Sequence, residues 1–478
     1  MDLGKPNNSN STPTALPVVV GVLTVVLAIG GIIIAQGTGA LFPDQASAEA
    51  EQIDGLFRIM LGIGGALFLL VQGLLLYSVI RFRVRKGDTG DGPTVHGNTT
   101  LELIWTAIPA VIVVFLVFYS WQVWSDITEP KDDEMVVNAI GARYAWTFEY
   151  DIPAELYAGL DAEQQERVDS AGIVTSPELH LYAERPTRMV MDTQDVIHSF
   201  WVPAMRMKQD LLPGRTTEVR FTPQLADTQE MEPITVVGQQ FDAHRYRVVC
   251  TELCGGGHGQ MYSFVNIYEN EETYIDVMAA LWEPVINPPA DPVARGRQLL
   301  ASGAYPCSGC HLLQDEGIDW AGVTGPALTG VGDRSVDRAN ASGVSGPEEY
   351  LYLSIYQPQS YYVPGYNGVN MNMFQPDDPS APNYMSTTSL YYIVSYLCAL
   401  TSEEGSNCDQ EVLLNLINQE HPDMPVVLEE AGGSDEAEAD DMATEDMTGD
   451  EAEATPEAEA ASEAEATPEA EATPETES

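Results

Sequence analysis

Three uncharged apolar runs constrain this chain before anything else: Ala15 to Gln36, Ile59 to Ile80 and Ile104 to Val123. Each has about the length that crosses the hydrocarbon core of a bilayer as a helix. Between the last two lies RFRVRKGD, with Arg81, Arg83, Arg85 and Lys86, which the positive-inside rule places in the cytoplasm. Everything after Trp124 then faces outward. So does the acidic segment Asp44 to Asp54, if the first run crosses from inside to outside. That first run has a second reading, a signal peptide with a cleavage site at Ala46–Ala48. Its apolar core is long, the small-residue site lies well beyond its end, and Lys5 is the one basic residue before it. We therefore read a retained helix. Arg58 lies at the outer end of the second run, where its side chain can reach the headgroups. Glu102 opens the third run, where a helix dipole favours an acid.

The outward part begins with short runs rich in Val, Ile, Thr and aromatics: MVVNAI, ARYAWTFEY, ELHLYA, TRMVMDT, TEVRFTP, ITVVGQQF and SFVNIYE. Separated by polar or Gly/Pro breaks, these predict strands of an all-β sandwich or barrel. Asp151 to Ala171 reads as a helical or loop insertion, TYIDVMAALWE as a closing helix, and PVINPPADP as a stiff linker. VARGRQLLASG and TTSLYYIVSYLCAL then predict helices of a small domain, the second with Tyr391, Val394 and Leu397 on one face. From about Ala431 the chain is Glu/Ala/Thr/Pro repeats that cannot bury enough apolar surface to fold. These repeats hold about twenty acids and no Lys or Arg. They supply part of the formal charge of -51, which excludes nucleic acid as a natural partner. The remaining acidity suits a basic soluble partner or salty surroundings.

Six cysteines fall in three pairs. Cys398 and Cys408 flank a short polar loop after a helix and suit a disulfide. Cys250 and Cys254 sit in VVCTELCGGGHGQM, with His258 and Met261 following. One Cys, His residues and a weak Met make a cupredoxin-like copper site, and the second Cys could bridge a second metal. His198, in QDVIHSFWVP at a strand end, is the candidate second imidazole. A zinc site and a disulfide are the competing readings, and the soft thioether of Met261 favours copper. Cys307, Cys310 and His311 form CSGCH, the c-type haem attachment pattern, with a zinc or redox pair as its alternative.

CTELCGGGHGQM, DVIHSFWVP, MKQDLLPGR and LELIWTAIPA together resemble subunit II of cytochrome c oxidase, over roughly residues 55 to 280. The resemblance implies a cupredoxin-like Greek-key barrel in which Cys250 and Cys254 bridge two coppers. It also implies that His198, His258 and Met261 complete them, with the backbone carbonyl of Glu252. The Glu252 side chain would reach a magnesium ion at the boundary with subunit I, and Glu102 matches the entrance of a proton path in some oxidases. Family members often carry a W-x-W pair where electrons come in. Here RYAWTFEY offers Tyr144 and Trp146, which as plain strand residues would only pack. The helix before CSGCH, TGPALTGVG after it and the aromatic-rich closing helix resemble a class I cytochrome c, over roughly residues 293 to 402. That likeness calls for a distal methionine from NGVNMNMF, either Met371 or Met373. We choose Met371, although Asn372 stands where the family often has Pro. Pro326 would orient the His311 ring.

The expected chain is therefore multidomain. A membrane helix or signal-like segment occupies 1–50 and a transmembrane helical hairpin 51–128. An all-β cupredoxin-like copper domain follows at 129–283, then a linker at 284–292. An all-α cytochrome c domain takes 293–403, and a polar region with a disordered acidic tail takes 404–478. No nucleophile and base pair for bond chemistry stands out. Two redox centres on a membrane anchor predict electron relay. An external donor, such as a small cytochrome c or copper protein, would reduce haem c, and dinuclear copper would pass the electron to a haem–copper subunit I that reduces oxygen and translocates protons. Subunit III would be a further neighbour. The expected location is a bacterial cell membrane, multi-pass, with both centres on the outer face. The alternative is the electron-accepting subunit of a nitric oxide reductase with the same copper site.

Overall fold

The computed structural model describes residues 15–83, 87, 97–226, 230–366, 371, 374–378, 384–402 and 405–428. Arg85, Lys86, Met373 and the acidic repeats lie outside the described residues.

Helix α1 spans Ala15–Gln36, α2 Ala48–Phe82 and α3 Thr99–Thr128. The last two are long and apolar enough to cross a membrane, and their apolar side chains point outward, as lipid-facing residues do. α1 and α2 meet through small residues. A Cβ on Gly31 would lie 2.7 Å from the Gly62 carbonyl oxygen, so glycine lets the backbones touch. The expected boundary at residue 50 falls inside α2. α2 starts at Ala48 because Ser47 caps it, accepting from the Ala50 N–H, and Glu49 and Glu51 favour its first turn.

This end of α2 is fastened to the outer β-domain. Arg206 Nε and Nη2 each donate to an Asp54 carboxylate oxygen at 2.8 Å, both side chains being largely buried. Glu49 pairs with Lys131 and accepts from the Thr222 N–H at 2.8 Å.

The β-domain strings together β1 Met135–Ala142, β2 Ala145–Tyr150, α4 Ala154–Ala158, α5 Ala162–Ala171, β3 Val174–Ser176 and β4 Leu179–Tyr182. It continues with β5 Thr187–Thr193, β6 His198–Val202, β7 Met207–Leu211 and β8 Thr217–Phe221. β9 Glu232–Val236, β10 Gln239–Cys250, β11 Tyr262–Tyr268 and α6 Glu271–Ile286 complete it. The expected barrel is resolved into two sheets sharing one core. One has the order β3-β2-β1-β5-β8, and the other β4-β11-β10-β6-β7 with β9 on β10. The pairs β1–β5 and β4–β11 are parallel. Alternation places Val137 and Ala139 of β1 inside while Val136 and Asn138 face out. Phe148, Phe200 and Leu179 fill the space between the sheets. α6 closes it with Val277, Met278 and Trp282, and its buried Pro284 and Ile286 shorten the expected linker 284–292.

The C-terminal module contains α7 Pro292–Ala301, the hairpin β12 Leu312–Asp315 and β13 Ile318–Ala321, then α8 Val331–Ser342, α9 Pro347–Tyr356, α10 Thr387–Ala399 and α11 Gln410–Glu420. Two expectations are corrected here. The module is not all-α, since Gly317 at φ +77° turns a two-stranded hairpin at little steric cost. Nor does it stop at residue 403. Asp409 caps α11, whose Leu413 and Ile417 are fully buried, and a Cys398–Cys408 disulfide ties the segment to α10. α7 and α10 cross at Gly296, where a Cβ would stand 1.9 Å from the Tyr392 carbonyl oxygen.

Candidate functional site

Strand pairing assembles the first site. Cys250, the last residue of β10, pairs with Phe200 of β6, whose first residue is His198. The chain then loops out through CTELCGGGHGQM and returns, the Cys250 N–H donating to the Met261 carbonyl at 3.0 Å. Gly255, at φ +136°, takes a conformation in that loop that other residues rarely adopt. The ligating atoms of His198, Cys250 and Cys254 lie within 4.8 Å of one another, all three residues buried. Sγ of Cys250 is 3.9 Å from Sγ of Cys254 and 3.8 Å from Nδ1 of His198. Cys254 Sγ lies 3.5 Å from His258 Nδ1 and 3.8 Å from Met261 Sδ. The Glu252 carbonyl oxygen is 3.3 Å from Cys250 Sγ, while its side chain is exposed.

Six donors of this kind exceed the four that a structural zinc takes. Two thiols, two imidazoles, a thioether and a carbonyl suit a pair of soft metal ions such as copper. The thiols differ. Burial pushes Cys250 up, yet hydrogen bonds to His198 and to backbone at Ser199 and Glu252 outweigh it and bring the thiol down. Burial and the neighbouring Cys250 charge push Cys254 up. Behind His198, Asp195 Oδ1 accepts from Nε2 at 2.8 Å, which leaves Nδ1 facing the thiols. Burial would raise the Asp195 carboxyl, but hydrogen bonds from His198 and Arg143 and from the Val196 N–H hold it well below the usual range. The Trp146 ring, buried, stands edge-on to His198 at 6.2 Å.

The two-residue tip of the β1–β2 hairpin, Arg143 and Tyr144, joins this site to the second. The Tyr144 ring lies over the glycines of the thiol loop: a Cβ on Gly257 would be 2.4 Å from it. The Tyr144 backbone lies against CSGCH, where a Cβ on Gly309 would also be 2.4 Å away. Thr147 Oγ1 donates to the Gly303 carbonyl at 3.2 Å, and the Thr324 and Gln260 side chains meet at 3.3 Å.

CSGCH lines a cavity of about 440 Å³, together with Met371, Phe374, Tyr350 and Ile393. This is the size and apolar character of a site for a planar organic cofactor. His311 Nδ1 is 2.7 Å from the Pro326 carbonyl oxygen, so it donates there and Nε2 is left for a ligand. Burial keeps that imidazole neutral and raises both thiols, Cys307 to about 12, with the Arg143 charge drawing Cys310 back. The residues therefore fit a haem held by two thioethers and an imidazole. Met371 lies on the same cavity, and Met373 is outside the described residues.

Glu102 is not part of either cluster. Its Oε1 accepts from the Asn98 N–H at 3.2 Å while Asn98 caps Leu101, the arrangement that starts a helix. Sequence reasoning missed Asp195, Arg143 and Arg338, the last lining the same cavity as CSGCH. Asp195 stood three residues before His198, but an acid at that offset has no ligand signature of its own.

The family models for the transmembrane domain and the periplasmic domain of cytochrome c oxidase subunit II match residues 35–123 and 135–267. Cytochrome c oxidase subunit 2 of Synechocystis sp. is 38% identical over 268 residues, covering 50% of this chain and 75% of its own length. The protein of the same name from Thermostichus vulcanus is 35% identical, covering 48% of this chain and 76% of its own. A solved periplasmic domain of cytochrome oxidase subunit II from Bradyrhizobium japonicum is 24% identical, covering 32% of this chain and 95% of its own, with a TM-score of 0.22.

Proposed function

Because the chain belongs to the cytochrome c oxidase subunit II family and so is a subunit of that oxidase, we propose that it relays electrons from an external donor through a haem c and dinuclear copper to subunit I, where oxygen is reduced and protons are translocated. The family implies the copper pair, a membrane anchor with an outer-face domain, and association with subunit I and a donor. The haem, a magnesium ion at Glu252, subunit III as a neighbour and a multi-pass anchor extend that reading.

When bound, copper and haem each supply a one-electron carrier. This chain's residues hold and insulate them. Cys250, Cys254, His198, His258, Met261 and the Glu252 carbonyl would together hold the coppers. Asp195 fixes the His198 tautomer. Cys307 and Cys310 would anchor the haem, and His311 and Met371 would hold its iron, a pairing that raises a haem potential. Tyr144 stands between the two sites, and Trp146 packs against His198 on the copper side. Between Val293 and Leu428 the chain has four arginines, no lysine and an excess of acids, which favours a basic donor.

The convergence of His198, Cys250 and Cys254 donor atoms within 4.8 Å, joined by His258 and Met261, carries this reading. The test is the full chain, purified in detergent after expression with copper and haem maturation. Metal content, near-infrared absorption and electron paramagnetic resonance should give two coppers sharing one unpaired electron, beside one c-type haem. A single copper, or zinc, would sink it.

A further inference from the structure

The cavity that holds CSGCH is built by two domains. Arg143, Tyr144 and Gly256 of the copper domain form part of its wall, opposite the module's own residues. Among the described residues, its charged side chains are Arg143 and Arg338, both cationic. That is unexpected in a module so short of basic residues, and none of its described acids from Asp315 to Asp423 lines this wall. Two cations on a wall without a described acid call for an anion, and a haem carries two carboxylates.

Arg143 has a second engagement. Its Nε donates to Asp195 Oδ2 at 2.9 Å and its backbone N–H to the same oxygen at 3.0 Å. The other Asp195 oxygen accepts from His198 Nε2 at 2.8 Å, and His198 Nδ1 faces Cys250 Sγ. An unbroken polar chain thus runs from the cavity wall through Arg143 and Asp195 to a copper-site imidazole. Arg338 lines the cavity without this connection, its helix α8 lying wholly in the module.

We propose that Arg143 of the copper domain completes the haem site by pairing with a haem carboxylate and, through Asp195, positions His198, so that one side chain tunes both redox centres. The proposal rests on the haem and copper reading above. Arg143 is a positioning residue: its Nε and backbone contacts to Asp195 order the imidazole, and the residue itself lines the cavity. A guanidinium suits this double duty because its donors point in a fixed fork towards two carboxylates.

The experiment uses the full chain with both cofactors loaded, titrated by spectroelectrochemistry and examined by electron paramagnetic resonance. Arg143→Gln removes a cation beside the haem, which favours the oxidised form. The haem equilibrium should shift about fivefold towards oxidation, ~40 mV lower at 59 mV per decade, and the copper hyperfine pattern should change. Arg143→Lys should restore most of the haem potential. Arg338→Gln should lower the haem potential while leaving the copper signal as in the parent. An Arg143→Gln chain with full haem and copper content and an unmoved haem potential would overturn the proposal. So would a copper signal that responds equally to Arg338→Gln. A parent chain that takes up no c-type haem would overturn the haem reading itself, and this inference with it.

Discussion

Replacing Gly309 by alanine tests whether the C-terminal module is seated on the β-domain as the structure has it. The added Cβ would stand 2.4 Å from the Tyr144 carbonyl carbon, 2.5 Å from its oxygen and 2.7 Å from its nitrogen. All three are backbone atoms of a hairpin tip held in a sheet, so no side chain can swing aside. Ordinary contact begins near 3.4 Å, so the CSGCH turn must retreat by about 1 Å. Overpacking of this order costs about 1–3 kcal/mol. The contact joins two separately cored modules, so parting them relieves the clash at less expense than unfolding either. The ratio of docked to undocked molecules should therefore fall by about 5- to 150-fold. Rapid photoreduction of the haem in the loaded full chain, followed at the haem band and in the copper near-infrared, should show a new slow phase of transfer. Hydrogen exchange of the Arg143 to Ala145 amides should rise in parallel. Gly259→Ala, in the copper loop with nothing within 4 Å of its Cβ, is the control and should behave as the parent. A Gly309→Ala chain with full haem content, unchanged transfer kinetics and unchanged exchange at the tip would refute this docking.

His180 is buried between Ser176 and Tyr268, and burial, helped by the Arg245 charge, holds its imidazole down at about 3. An unfolded histidine titrates near ~6.5, so the unfolded chain takes up the proton first, and stability present above that pH is lost as pH falls towards 3. At pH 5 the loss is about 2 kcal/mol; denaturant titrations across that window should steepen for the parent and flatten for His180→Gln, and parallel curves would contradict the burial argument. Gly296→Ala drives a Cβ into the Tyr392 carbonyl at the α7–α10 crossing and should lower the module's melting temperature, read at the haem band, by several degrees at ~1–3 kcal/mol. Cys398→Ser opens a short disulfide loop and should cost about 2–3 kcal/mol, with reductant giving the parent the same loss. Asp54→Ala leaves the buried Arg206 guanidinium without its partner and should cost about 3–5 kcal/mol in the copper domain, seen as a lower denaturant midpoint.

What the sequence made legible is what local periodicity and short ligand spacings encode. The three apolar runs fall within helices α1, α2 and α3, because hydropathy is a one-dimensional signal. The strands of the β-domain alternate plainly, and Cys250, Cys254, His258 and Met261 sit within one loop. His198, fifty-two positions from Cys250, was reachable only through the motif around it. Misjudged parts have physical causes. α2 begins before the apolar run because a serine cap and two acids start it, and polar turns carry no hydropathy signal. α11 hides in a polar stretch because Leu413 and Ile417 alone are fully buried along it. The β12–β13 hairpin is too short for alternation to stand out, and its turn is marked by Gly317 alone.

Arg143 was illegible for a different reason. Its meaning depends on three surfaces that no local pattern relates: the Asp195 carboxylate, the wall of the CSGCH cavity and the backbone of its own hairpin. The β1–β2 pairing allows a two-residue tip, with Ala142 opposite Ala145, so Arg143 and Tyr144 project past the sheet's end. The glycines of the copper loop let the Tyr144 ring settle onto them, and Gly309 lets the module close onto the backbone beside it. Each glycine, read alone, is a conformational convenience. Read with the hairpin, they are the steric condition for an interface in which the thiol loop and the CSGCH cavity share a wall. It follows that substitutions at Gly257 and Gly309 should act on transfer between the centres before they act on either centre's own spectrum.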